Sequence, residues 1–325
     1  MIEFASGQIT GRRAAQEDAL DVMPLESVGA KPEAARGELT APLDTGLIMV
    51  VADGMGGHVG GRVASTICVQ SFLNSIRKSE AGWDKRLEEG LNAANLALRQ
   101  EVDSRPDLSG MGSTLVGAVV GEQGLGWISI GDSALYHFHN GTLERVNEDH
   151  SFGAYLDAQA REGLMTADAA ANDRRRNHLF YALLGDDLDH FERFSGFRAL
   201  VPGDIVMAAS DGLKTLSDEE ITALLRANAD RPLNDIIAAL FSAIERVDRD
   251  RQDNVSIVLA RLNGNSDHQV DKAAPEAASG LPPTAPIQTP SPAPPMRPGI
   301  VRFAGIAIVA LAALLAVSLA IAHLF

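Results

Sequence analysis

Apolar residues gather along this chain in short runs rather than long periodic stretches. The runs at 46–52, 114–121, 126–131, 134–139, 205–209 and 255–261 are rich in Val, Ile, Leu and Ala and predict β-strands. Between them, 62–78, 83–103 and 234–248 carry apolar residues at helical spacing and predict amphipathic helices. Gly121-Glu122-Gln123-Gly124 and His139-Asn140-Gly141 are hairpin-type connections, so antiparallel sheets are expected. Ser217 or Asp218 is expected to cap a helix. Residues 22–45, polar and containing Ala, Gly and Pro, read as a surface excursion in the first hairpin.

The pattern changes toward the C-terminus. Ala273 to Gly299 holds nine of the 15 prolines and cannot build a core, so 263–299 reads as an extended, partly polyproline linker. Phe303 to Ala322 then runs without a charge and is long enough to span a bilayer as a helix, which makes 300–325 a predicted transmembrane anchor. Arg297 and Arg302 precede the span and favour a cytoplasmic location for everything before it. The start, Met1-Ile2-Glu3-Phe4, lacks the regions of a signal peptide. The expectation is a single-pass protein of the inner membrane with its folded part, 1–262, in the cytoplasm.

Candidate chemistry lies where the strands stop. Val50-Val51-Ala52 runs into Asp53-Gly54-Met55-Gly56-Gly57-His58; Ile128-Ser129-Ile130 into Gly131-Asp132; Val206-Met207-Ala208-Ala209 into Ser210-Asp211-Gly212. Asp253-Asn254 immediately precedes a strand, and Arg13 is followed by Gln16-Glu17-Asp18. A carboxylate at a strand end can simply satisfy backbone donors. Several in one chain, beside glycines, point to strand ends converging on a polar pocket. Carboxylates held together repel, and a hard divalent cation is the usual means of keeping them close.

The ordered set Arg13-x-x-x-Glu17-Asp18, Asp53-Gly54-Met55-Gly56-Gly57-His58, Gly112-Ser113-Thr114, Gly131-Asp132-Ser133, Asp149-His150-Ser151, Ser210-Asp211-Gly212 and Asp253-Asn254 resembles the PP2C-type, metal-dependent Ser/Thr protein phosphatases, the bacterial members above all. The resemblance covers about residues 1–262. It implies an α+β fold, an αββα sandwich of two antiparallel sheets flanked by helices. It implies Mn²⁺ or Mg²⁺ as cofactor: two ions bridged by Asp53, with the Gly54 carbonyl on one of them and Glu17, Asp211 and Asp253 completing the sites. Asp132 with Asp211 resembles the pair that holds a weaker third ion. Arg13 would grip the substrate phosphate. A metal-bound hydroxide would displace the serine or threonine oxygen from phosphorus directly, with no phospho-enzyme intermediate, on phosphoproteins made by a cognate Ser/Thr kinase. The alternatives are a silent, membrane-tethered phosphoprotein binder and a regulatory phosphatase dedicated to one substrate.

Other features narrow the chemistry. Cys68, the only cysteine, lies in an apolar helical pattern and reads as a core residue rather than a nucleophile. No P-loop and no Gly-x-Ser-x-Gly elbow are present. Met55 stands where some relatives carry a histidine proposed as general acid, so another group must protonate the leaving oxygen. His58 could do so or could be a turn histidine; His150 reads as structural. His137 and His139 share a strand face, yet lack further histidine or cysteine ligands for zinc. Segment 152–190 resembles the flap of bacterial relatives, and Arg174-Arg175-Arg176 on it could recruit an anionic peptide or form a solvated turn. A net charge of −15 argues against nucleic acid as main partner.

Overall fold

The computed structural model describes residues 1–25 and 39–263. The expected linker and anchor, and residues 26–38 of the excursion, lie outside them. Twelve strands are described: β1 Ile2–Ile9, β2 Asp18–Pro24, β3 Leu39–Ala41, β4 Leu47–Met55, β5 Gly112–Ser113, β6 Leu115–Gly121, β7 Gly124–Ile130, β8 Ala134–His139, β9 Thr142–Arg145, β10 Glu192–Arg193, β11 Ile205–Ala209 and β12 Val255–Leu262. The α-helices are α1 Gly57–Lys78, α2 Trp83–Ser104, α3 Phe152–Arg161, α4 Ala167–Ala171, α5 Asp218–Asn228 and α6 Leu233–Val247.

The strands form two sheets with every named pair antiparallel, ordered β3-β1-β12-β11-β8-β9 and β10-β7-β6-β4-β2, with β5 added beside β4. Three apolar layers explain why the central strands read as continuous apolar runs rather than alternating ones. In β4, Ile48, Val50 and Ala52 face α1 and α2 and pack with Phe72, Ile76 and Leu91. Leu47, Met49 and Val51 on the opposite face meet Phe4, Val206 and Val258 of the other sheet. The outer face of that second sheet, through Tyr136, Met207 and Ile257, buries α5 and α6 by way of Leu225, Ile236 and Leu240. Both faces of both sheets are thus covered, which is the αββα arrangement, and it removes water from each apolar side chain in turn.

The expected strands and helices are present, with shifts at the polar punctuation. β4 does not stop at Asp53 but continues to Met55, because Gly54 and Met55 pair with Ser113 and Gly112. Helix α1 starts at Gly57 rather than 62, after Gly56 takes a left-handed φ of 117°. The excursion between β2 and β4 contributes β3, which pairs with β1 in the other sheet. Ser217 is the cap of α5: it accepts from Glu220 N, and the Glu220 carboxylate accepts from Ser217 N.

Candidate active site

Antiparallel pairing brings the end of one strand beside the start of its neighbour, and here it gathers the carboxylates. Asp18, at the start of β2, pairs directly with Asp53 near the end of β4. Asp211 follows β11, Asp253 precedes the adjacent β12, and Asp132 follows β7. Every residue expected at the site, Arg13, Glu17, Asp53, Gly54, Asp132, Asp211 and Asp253, lines one cavity of about 680 Å³. Segment 152–190 supplies the opposite wall through Asn177, His178, Leu179 and Phe180.

Hydrogen bonds from non-ionising residues hold this cluster in place. The Asp53 backbone N–H donates to Thr114 Oγ1 at 2.9 Å, and Ser113 Oγ donates to Asp53 O at 3.0 Å. Thr114 Oγ1 also bonds Ser133 Oγ at 2.7 Å, so residues 113–114 and 133 brace the two aspartates beside them. Asn254 accepts from Glu17 N at 2.7 Å through Oδ1 and donates to Thr10 O and Ala15 O through Nδ2, fixing the loop that carries Arg13 and Glu17. Ser210 Oγ and Ser256 Oγ both donate to Asp18 Oδ2 at 2.7 Å.

Negative charge is concentrated beyond what the protein itself balances. Burial first, then repulsion from Asp18, Asp211, Asp132 and Asp253, raises the Asp53 carboxyl well above its ordinary value. Asp211 is pushed up to about 7 by burial and by Asp132 and Asp253. Asp18 rises to about 6, chiefly through burial, although its two serine donors pull the other way. Arg13 pairs with Asp253 through Nη2 and Oδ2, so its guanidinium is already anchored on the expected metal ligand.

The donor set fits divalent cations on three observations. Asp211 Oδ1 is buried and accepts no hydrogen bond, a costly state for a carboxylate oxygen unless a cation meets it. The donors are carboxylates and a backbone carbonyl, which are hard oxygen ligands. The backbone leaves no room for side chains at the turn: a Cβ on Gly54 would lie 1.9 Å from Gly61 O, and one on Gly61 would lie 2.4 Å from Glu17 Oε2. Close approach of β4 and α1 therefore presses the Glu17 carboxylate onto the Asp53-Gly54 turn.

Several residues escaped the sequence reading or behave differently from it. Asp18 lies in the motif but has no expected role; burial opposite Asp53 makes it part of the charge cluster. Lys214 donates to Asp132 Oδ2 at 2.9 Å and to Asp149 Oδ2 at 3.2 Å. It follows Asp211 by three residues within a 3₁₀ turn, Asp211–Thr215, which sets both on one side of that turn. Arg174, Arg175 and Arg176 are absent from the lining of the cavity; Arg175 pairs with Asp173 and lies over the Phe152 ring, and Arg176 pairs with Asp157. Cys68 is fully buried in the helix-facing core, where burial raises its thiol pKa. His150 is buried and its Nδ1 accepts from Gly131 N at 3.1 Å, the structural role expected of it. The third group at His137 and His139 is a carboxylate: Asp204 bonds His137 Nε2 at 2.9 Å and His139 Nδ1 at 2.7 Å. The side chain of His58 lies outside the described residues.

A family model described as protein phosphatase 2C matches residues 40–252, well over half of the chain. The chain belongs to the protein phosphatase 2C family. Among relatives of this protein phosphatase 2C chain, the Ser/Thr protein phosphatase PstP of Mycobacterium tuberculosis is 33% identical over 182 residues, 55% of this chain and 34% of PstP. The match thus spans about a third of that relative's length. The Ser/Thr phosphatase stp of Listeria welshimeri is 28% identical over 232 residues, 66% of this chain and 84% of stp. A crystal structure of the PstP catalytic domain in complex with two manganese ions superposes with a TM-score of 0.60 at 27% identity, covering 81% of this chain and all of that one.

Proposed function

We propose that this chain is a divalent-metal-dependent protein phosphatase acting on phosphoserine and phosphothreonine. The observation that carries the proposal is the cavity that collects Glu17, Asp53, Asp132, Asp211 and Asp253 around the orphaned Asp211 Oδ1. The two manganese ions in the PstP catalytic domain support the same reading. Asp53 and the Gly54 carbonyl, with Glu17, Asp211 and Asp253, would hold two ions, Mn²⁺ or Mg²⁺. Bound there, such ions would offset phosphate charge and supply a water of lowered pKa.

The chain's own groups account for the rest. Arg13 stands at the cavity wall as a fixed fork of donors, matched to phosphate oxygens and oriented by Asp253. Hydrolysis without a phosphorylated enzyme group is what the family resemblance implies; consistent with it, the only thiol is buried in the core, and the Thr114 hydroxyl is engaged by Asp53 N and Ser133. Asn177, His178 and Phe180 form the side from which a phosphopeptide would be met. The test is hydrolysis of a phosphothreonine peptide by the full chain in mild detergent, with Mn²⁺, with EDTA, and in Asp211→Asn. Turnover that needs Mn²⁺ and falls at least about 10²-fold in the variant is expected. A folded, metal-binding chain without turnover would instead be a phosphoprotein binder.

We further propose attachment to the cytoplasmic face of a membrane, where a Ser/Thr kinase would supply the substrates. The uncharged run from Phe303 to Ala322 and the preceding Arg297 and Arg302 support it. Among the described residues no helix is long and apolar enough to cross a membrane. Resistance of the full chain to alkaline carbonate extraction from membranes is expected; release into the supernatant would overturn the attachment.

A further inference from the structure

The wall between the catalytic cavity and its neighbour is built around a lysine. The second cavity, about 460 Å³, is lined by Tyr136, Arg145, Asp149, Arg176 and Lys214 among others, while Asp132 and Asp211 line the first. Lys214 stands between them, its ammonium 2.9 Å from Asp132 Oδ2 and 3.2 Å from Asp149 Oδ2. Its side chain is 39% exposed, yet it is held by carboxylates on two sides. Asp149 is itself pinned by Arg145 Nη1 at 2.6 Å and by the Ser151 N–H at 3.0 Å. Arg145 Nη2 reaches on to the Asp132 backbone oxygen at 3.0 Å. Asp132, Lys214, Asp149 and Arg145 therefore form a closed chain of two anions and two cations.

We infer that Lys214 is a built-in cation that takes the place of a third divalent ion at Asp132, so that this centre works with two ions. The inference rests on the two-metal reading above. Charge supports it. With Asp132 and Asp149 matched by Lys214 and Arg145, the carboxyl groups left to ionise against bound cations are Glu17, Asp18, Asp53, Asp211 and Asp253, with Arg13 alone opposite them. That leaves four negative charges, which two divalent cations neutralise. Geometry supports it as well. A 3₁₀ turn has three residues per turn, so positions 211 and 214 project from one side of it. The turn that presents Asp211 to the cavity thus also delivers the ammonium to Asp132. A divalent ion at Asp132 would have to displace this ammonium and leave Asp149 with a single cationic partner.

The test counts bound Mn²⁺ per full chain in mild detergent, by equilibrium dialysis with electron paramagnetic resonance of the free ion. It compares the unaltered chain with Lys214→Met, which keeps the aliphatic stem without the charge, and Lys214→Arg, which keeps the charge. The expected counts are two ions for the unaltered chain, two for Lys214→Arg and three for Lys214→Met, the third released first on dilution. Three ions in the unaltered chain overturn the inference, and so do two in a folded Lys214→Met chain, while the two-metal reading survives either result. No bound Mn²⁺ in the unaltered chain would sink the two-metal reading and the inference with it. Should Lys214→Met fail to fold, the counts for the unaltered chain and Lys214→Arg still decide: three ions with a cation in place contradict the inference.

Discussion

Asp211 carries the cost of gathering so many carboxylates in one cavity. Its carboxyl is buried, one oxygen lacks a partner, and its pKa stands at about 7 against the usual range near 4. Asp211→Asn removes the charge while keeping the shape. The metal-free variant should therefore melt a few degrees above the metal-free parent, and Mn²⁺ should raise the Tm of the parent but not that of the variant; calorimetry with EDTA and with Mn²⁺ checks both. Gly54 makes a second prediction. A Cβ there would lie 1.9 Å from the Gly61 carbonyl oxygen, so β4 and α1 must part. Gly54→Ala should lose about 2–4 kcal/mol in urea unfolding, the range of the larger single-site losses. At this scale the sequence is informative about the ligands, because a carboxylate ending an apolar strand is visible as such. It is silent about Asp18 and Lys214, whose roles come from register across a sheet and from spacing within a 3₁₀ turn.

The elements were legible where burial is one-sided or complete. β4, β6, β8, β11 and β12 are apolar runs, and α1, α2 and α6 carry helical spacing, so each declares itself. β1 and β2 did not, because Ser6, Gly7 and Gln8 in one and Asp18, Asp21 and Pro24 in the other dilute the apolar signal. β5 and β10, two residues each, have no local signal at all; their pairing with β4 and β7 is purely tertiary. Helix α5 carries a prediction that separates fold from site. Its capping box is reciprocal between Ser217 and Glu220, near but outside the catalytic cavity. Ser217→Ala should destabilise the chain by about 1 kcal/mol in urea unfolding. Mn²⁺ stoichiometry should stay the same, since none of the proposed ligands is touched.

Over the whole molecule, two sheets hold their strand ends together against the repulsion of the acids they carry, and pH should expose that tension. Asp18 and Asp211 have folded pKa values of about 6 and 7, above the unfolded range near 4, and Asp53 is raised too. Their favourable contribution is complete below the unfolded pKa and lost as pH rises through 6 and 7. Asp149, lowered to about 2, acts oppositely: its contribution is present above pH 4 and lost only toward pH 2. Metal-free protein should thus be most stable near pH 4–6 and melt lower at pH 8, and Mn²⁺ should recover the loss at pH 8. Flat melting temperatures across pH 5–8 would contradict the charge cluster. The central claim of the proposal is that Asp53 and the carboxylates around it would hold two divalent ions on which turnover depends. Electron paramagnetic resonance of the Mn²⁺-loaded full chain, with phosphopeptide turnover measured on the same samples, tests it most directly. The account predicts an exchange-coupled Mn²⁺ pair in the parent, and loss of both the coupling and the turnover in Asp53→Asn. Uncoupled Mn²⁺ in an active parent, or undiminished turnover in Asp53→Asn, would contradict it.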